Sequence, residues 1–216
     1  MKLEAVFFDM DGVLVDSVGI KHAHRQQFLK EDLGLDIRVN ELVGLTLDNK
    51  YNYLVQHTDI NISKSEFHQR FDKEIESVYT NRVSLIGNFH SLMEILHDQN
   101  IKVGLVTASS EHRMKLVLNR FSIRGHFDVV LSVSEIDGAS KPEPDIYQEA
   151  VKRTNVKTER SVAIEDSYYG AKAATQAGLY CIGYQPPENP EQNLSIANEQ
   201  VSSSEHLYER FLDLMK

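Results

Sequence analysis

Apolar positions along this chain follow two rhythms. Ala5-Val6-Phe7-Phe8, Lys102–Thr107, Val129–Ser132, Ser161–Glu165 and Tyr180–Tyr184 are short continuous runs rich in β-branched and aromatic residues. Continuity rather than alternation suits strands buried on both faces of a parallel sheet. The second rhythm is helical: Met114, Val117, Leu118 and Phe121 recur at i, i+3, i+4 and i+7, and Tyr168 to Ala177 stops at Gly178. From about Gly87 onward the two rhythms alternate. That alternation predicts a doubly wound α/β domain with a parallel sheet.

The stretch from Asp16 to Ser84 breaks the alternation and contains no strand-like run. Phe67, Phe71, Ile75 and Val78 recur at helical spacing there, and Ser63 with Glu66 forms a capping-box start. The predicted organisation is therefore a catalytic core of residues 1–15 and 85–216, with an all-helical insert over 16–84. Pro186, Pro187 and Pro190 predict a loop before a last helix that runs toward Lys216.

Charge narrows the classes of function. There are 32 Asp and Glu against 23 Lys and Arg, a formal net charge of -9, and the cations form no cluster. Nucleic acid binding needs a basic face, so no nucleic acid partner is expected. No run approaches a membrane span and no secretory leader precedes the first strand, so a cytoplasmic protein is expected. A single cysteine, Cys181, excludes an intramolecular disulfide and a cysteine-based zinc site. It lies in an apolar run and reads as a small packed hydrophobe.

Ligands of open parallel sheets bind beyond the carboxyl ends of the strands, so the residues after each run are the candidates for chemistry. The first run is followed by Asp9-Met10-Asp11-Gly12, two carboxylates two positions apart before a glycine that permits a sharp turn. Thr107-Ala108-Ser109-Ser110 follows the second and offers hydroxyls and helix-start amides to an anion. Lys141-Pro142-Glu143-Pro144 comes after the third, and Glu165-Asp166-Ser167 ends the fourth. Singly, each reads as a turn, a cap or a solvated side chain. Together, in this order, they deliver carboxylates, hydroxyls and a lysine to one rim.

In these stretches the chain resembles the haloacid dehalogenase-like hydrolase superfamily, in the branch with a helical cap inserted after the first motif. The matching residues are Phe8 to Ser17, Val106 to Ser109, Lys141 to Asp145, and Ala163 to Ser167 with Gly170, continuing to Ala177-Gly178. The resemblance is strongest toward phosphoglycolate phosphatases and other phosphatases of small metabolites, and toward β-phosphoglucomutases. It implies a Rossmann-like core with an inserted all-helical cap. It also implies an Mg²⁺-dependent phosphatase that works through an aspartyl-phosphate on Asp9, with Asp11 as acid and base. Asp9, the Asp11 carbonyl and Asp166 are the implied metal ligands, and Glu165 stands behind them. Thr107, Ala108, Ser109 and Lys141 are the implied phosphate binders.

A phosphosugar mutase is the alternative. The mutases carry a cap arginine three positions after a glycine, where Gly44-Leu45-Thr46-Leu47 places a leucine. Lys50, one helical turn further, is the candidate to reach a substrate's distal group, and Thr46, Leu47, Asn49 and Tyr53 are the other cap candidates for setting specificity. Lys21 occupies the position of a mutase histidine, with His22 adjacent. These departures favour hydrolysis. The expected partner is a small phosphorylated metabolite, a sugar or sugar-acid phosphate, with no membrane and no obligate protein partner. A dehalogenase is disfavoured, because halide displacement needs neither a metal nor a proton donor for an alkoxide.

Overall fold

A computed structural model of the chain describes residues 2–42, 45, 47–187 and 192–216. Gly44, Thr46 and Pro190 lie outside the described residues. The chain divides into two compact units, one of Met1–Asp16 with Ser84–Lys216 and the other of Ser17–Val83.

The first unit begins with β1 (Ala5–Phe8), every residue of which is buried. The chain leaves it at Asp16, whose carboxylate accepts a hydrogen bond from the Ser84 amide at 2.5 Å where the chain returns. This contact ties the two ends of the insert together at its root.

The second unit contains α1 (Ser17–Gln27), α2 (Leu47–His57) and α3 (Lys64–Asn81). Ser63 caps α3 by accepting from the Glu66 amide, while the Glu66 carboxylate turns to Arg70. Phe67, Phe71, Ile75 and Val78, the predicted stripe, are buried. Phe28 meets Phe67 and Phe71 at ring separations of 6.4 and 6.2 Å, so aromatic packing forms the centre of this unit.

Back in the first unit, α4 (Phe89–Asp98) leads into β2 (Lys102–Thr107), followed by α5 (Glu111–Phe121) and β3 (Val129–Ser132). Then come α6 (Asp145–Thr154), β4 (Ser161–Glu165), α7 (Tyr168–Gln176) and β5 (Tyr180–Tyr184). A short β6 (Glu199–Val201) and α8 (Ser204–Leu214) complete the chain. Among the described residues the strands form one six-stranded parallel sheet in the order β3-β2-β1-β4-β5-β6. The α/β fold class read from the apolar runs is thus observed. β6 escaped that reading, because Glu199-Gln200-Val201 carries no apolar run.

Register decides where the chemistry lands. Phe8 pairs with Leu105 on one side and Ile164 on the other, so the residues just beyond those pairs come level: Asp9, Val106 and Glu165. The Asp9 amide donates to the Ile164 carbonyl at 3.0 Å and carries the ladder one residue past β1. Neighbouring strands lie ~5 Å apart, which places these three residues in a row across the sheet edge. Gly12 turns the chain back at φ +82°, a conformation that L side chains resist, and the Gly12 amide donates to the Val15 carbonyl at 2.8 Å.

Candidate active site

Lys141 spans that row. Its ammonium donates to Asp9 Oδ1 at 2.6 Å, to Glu165 Oε1 at 2.6 Å and to the Val106 carbonyl at 2.9 Å. An ammonium has three hydrogens, and all three are committed. The lysine and its two carboxylate partners are almost wholly buried, with side-chain exposures of 5%, 9% and 1%. This is a desolvated ionic cluster, unlike a surface ion pair of little energetic weight.

Carboxylates outnumber the cation here. Asp9, Glu165 and Asp166 are all buried, and each presents an oxygen within 4.8 Å of the others. Burial pushes the Asp9 carboxyl up to about 7; Lys141 opposes that rise and Glu165 adds to it. Burial by itself would depress the Lys141 ammonium, but Asp9 and Glu165 override it and hold it above its ordinary value. A trio of buried oxygen donors with surplus negative charge fits a hard divalent cation. Softer metals that favour nitrogen or sulfur ligands find no such donors in this trio.

The other carboxylate of the first motif has a different partner. Asp11 Oδ2 accepts from the Ser109 hydroxyl at 2.6 Å, and the Ser109 amide donates to Thr107 Oγ1 at 3.0 Å. Thr107 is buried at the end of β2, and Ser110 caps α5 by accepting from the Arg113 amide. Thr107, Ser109 and Asp11 thus form a hydrogen-bonded chain beside the Lys141 cluster. The sequence assigned Ser109 to phosphate, and its bond to an aspartate 98 positions away carries no linear signal.

Two further residues have roles at Glu165 that the sequence did not show. The Tyr147 hydroxyl, on the buried face of α6, donates to Glu165 Oε1 at 2.5 Å. Burial, and then the charge of Glu165, pushes its acidity well out of reach, so it serves as a donor. Gly170 leaves room for Glu165, since a Cβ built there would fall 1.8 Å from Glu165 Oε2. A buried tyrosine must place its hydroxyl somewhere, and that is the one clue the sequence offered.

Lys50 belongs to α2, in the second unit. Its ammonium donates to the Leu45 carbonyl, and burial, then the nearby Arg25 charge, lowers its pKa. Tyr53 donates to Glu41 Oε2 at 2.9 Å. Ala108 is exposed beyond β2.

The first unit is thus a doubly wound α/β domain that gathers buried carboxylates and one lysine at the carboxyl edge of its sheet. The haloacid dehalogenase-like hydrolase model matches residues 6–184, most of the chain. A phosphorylated carbohydrates phosphatase of Thermotoga maritima is 30% identical over 185 residues, covering 82% of each chain. A β-phosphoglucomutase of Bacillus subtilis is 26% identical over 190 residues, covering 84% of this chain and 83% of that one. Among solved structures, an HAD family hydrolase from Deinococcus radiodurans R1, with bound phosphate and sodium, superposes with a TM-score of 0.82. It is 26% identical and covers 98% of this chain and 96% of that one. The chain belongs to the haloacid dehalogenase-like hydrolase family and is an enzyme of it.

Proposed function

We propose that this enzyme is an Mg²⁺-dependent phosphatase of a small phosphorylated carbohydrate. The observation that carries the reading is the buried trio of Asp9, Glu165 and Asp166 with Lys141 locked onto two of its members. The match to a phosphorylated carbohydrates phosphatase supports the substrate class.

In this reading Asp9 is the nucleophile. A carboxylate oxygen forms a bond to phosphorus as the ester oxygen leaves, and Asp11 donates a proton to that oxygen. Water then attacks the aspartyl-phosphate and gives its proton to Asp11. The bond from phosphorus to Asp9 breaks and inorganic phosphate is released. Asp9, the Asp11 carbonyl and Asp166 would hold Mg²⁺, with Glu165 supporting them. When bound, the cation neutralises negative charge shared by the carboxylates and the phosphate. Thr107 with the amides of Ala108 and Ser109 would hold phosphoryl oxygens. Lys141 keeps Asp9 oriented and offsets its charge. Residues 17–83 would act as the cap, with Lys50 the candidate for contact with the substrate's distal group.

A phosphosugar mutase uses the same core groups, and the Bacillus subtilis relative favours that second reading. Leu47 weighs against it, since a leucine offers a distal phosphate no hydrogen bond or charge. A panel of sugar and hexitol phosphates, with Mg²⁺ and with EDTA, separates the two. Release of inorganic phosphate that EDTA abolishes supports the phosphatase. Isomerisation of a hexose 1-phosphate without phosphate release establishes the mutase instead.

A further inference from the structure

We propose that the Tyr147 hydroxyl is a positioning group for the site, holding Glu165 so that Lys141 stays seated on Asp9. The proposal rests on the phosphatase reading for its kinetic consequence and on geometry for the rest.

One segment supplies both donors. Lys141 lies just ahead of α6 and Tyr147 lies in its first turn, with the Tyr147 amide donating to the Pro144 carbonyl at 3.0 Å. The two side chains meet on the same atom: Glu165 Oε1 takes Lys141 Nζ at 2.6 Å and Tyr147 Oη at 2.5 Å. The tyrosine ring also faces the ammonium, at 5.1 Å from its centroid. On the far side Glu165 Oε2 lies against Gly170, where even a methyl group would collide. Glu165 is therefore fixed from two directions, by donors on one oxygen and by backbone behind the other.

Glu165 in turn limits Lys141. With each of its three hydrogens committed, the ammonium cannot shift toward one carboxylate without loosening another bond. Without the tyrosine hydroxyl, Lys141 would be the sole donor to Glu165 Oε1. The carboxylate could then rotate and draw the ammonium away from Asp9. A hydroxyl is the suited donor for this task. It adds no charge to a crowded site, and its burial keeps it protonated. Neutral hydroxyls bonded to an ionised acceptor give short, directional contacts.

Tyr147→Phe keeps the ring, its packing and the face turned to Lys141, and removes only the hydroxyl. Two readouts test the proposal in the full-length protein. In steady state with Mg²⁺ and the best phosphorylated sugar of the panel, kcat should fall roughly 10- to 100-fold, the range for losing a bond to a charged group, with KM within about twofold. In a Glu165→Gln background the same substitution should cost less than about threefold, since the group through which it acts has changed. The second readout needs no activity: the protected ¹H–¹⁵N signal of the Lys141 ammonium, seen without metal, should exchange faster in Tyr147→Phe. If the wild-type protein hydrolyses no phosphate ester, the phosphatase reading fails while the ammonium signal still judges Tyr147. Unchanged kcat with an unchanged ammonium signal overturns the proposal. So does an equal loss in both backgrounds, or a variant that fails to fold, because either assigns the hydroxyl to general stability.

Discussion

The Ser109 hydroxyl donates to Asp11 Oδ2 at 2.6 Å, joining the end of β2 to the loop after β1. The bond holds the group proposed as acid and base in one orientation. Ser109→Ala removes it without touching the Asp9–Lys141 cluster. On an alkyl phosphate, whose leaving oxygen needs a proton, kcat is expected to fall about tenfold. On p-nitrophenyl phosphate, whose leaving group does not, the first step should be nearly unchanged. Matched increases in KM on both substrates would mean that Ser109 acts on the phosphate instead.

Lys141→Met should inactivate the enzyme and loosen the fold together. Removing one partner of a buried ion cluster costs roughly 3–5 kcal/mol, because the remaining charge is left uncompensated. A lower melting temperature in EDTA is the expected outcome, read by thermal unfolding. Lys141→Arg should not restore activity, since a planar fork cannot reproduce three bonds that converge on one nitrogen. A variant with wild-type melting would remove the cluster from the energetics of the fold.

Asp9 gives the metal-free protein a distinctive pH response. Its carboxyl is pushed from an ordinary 3.8 up to about 7 in the folded state. Between those values the native protein keeps a proton that the unfolded chain has released, so this group's contribution to stability falls as pH rises. Other carboxyls, such as Asp128 with its lowered pKa, act in the opposite sense, so the difference between wild type and Asp9→Asn isolates the effect. The melting temperature of Asp9→Asn minus that of wild type should grow as pH rises from about 4 to about 7. Divalent cations compete with that proton, so apparent Mg²⁺ affinity of the wild type should weaken as pH drops below about 7. A flat difference curve would show that Asp9 titrates normally.

Lys50 allows the proposed recognition role to be tested apart from the chemistry. Its ammonium is tied to the Leu45 carbonyl. If Lys50 grips a distal group, Lys50→Ala should raise KM for the sugar phosphate and leave p-nitrophenyl phosphate turnover unchanged. Equal losses on both substrates would assign it to the folding of the helical unit.

The parallel sheet was legible because each of its five apolar strands is buried on both faces and so reads as an uninterrupted run. β6 was not, since an edge strand of three residues can be polar. The rim residues were legible for a topological reason: Asp9, Thr107, Glu165 and Asp166 directly follow or end strands, where parallel sheets bind ligands. Lys141 lies nine residues past β3, so the run before it marked a lysine for the rim without showing which groups it would bond. What stayed hidden was contact across the chain. The pairing of Ser109 with Asp11 and of Tyr147 with Glu165 depends on strand register and on the seating of α6, and neither leaves a local pattern. Gly170 was quoted in a motif, but its reason, the room it makes for a carboxylate, exists only in three dimensions.

The covalent intermediate tests the central claim most directly. Asp11→Asn keeps the backbone carbonyl proposed for the metal and removes the acid and base. Mixed rapidly with p-nitrophenyl phosphate and Mg²⁺, this variant is expected to release a burst of nitrophenol near one equivalent per enzyme. A slow steady state should follow as hydrolysis of the aspartyl-phosphate stalls. Intact mass should then show one added phosphoryl group, and peptide mapping should place it on Asp9. Wild-type turnover of an alkyl phosphate by Asp11→Asn, or a phosphoryl group on any residue other than Asp9, would contradict the account.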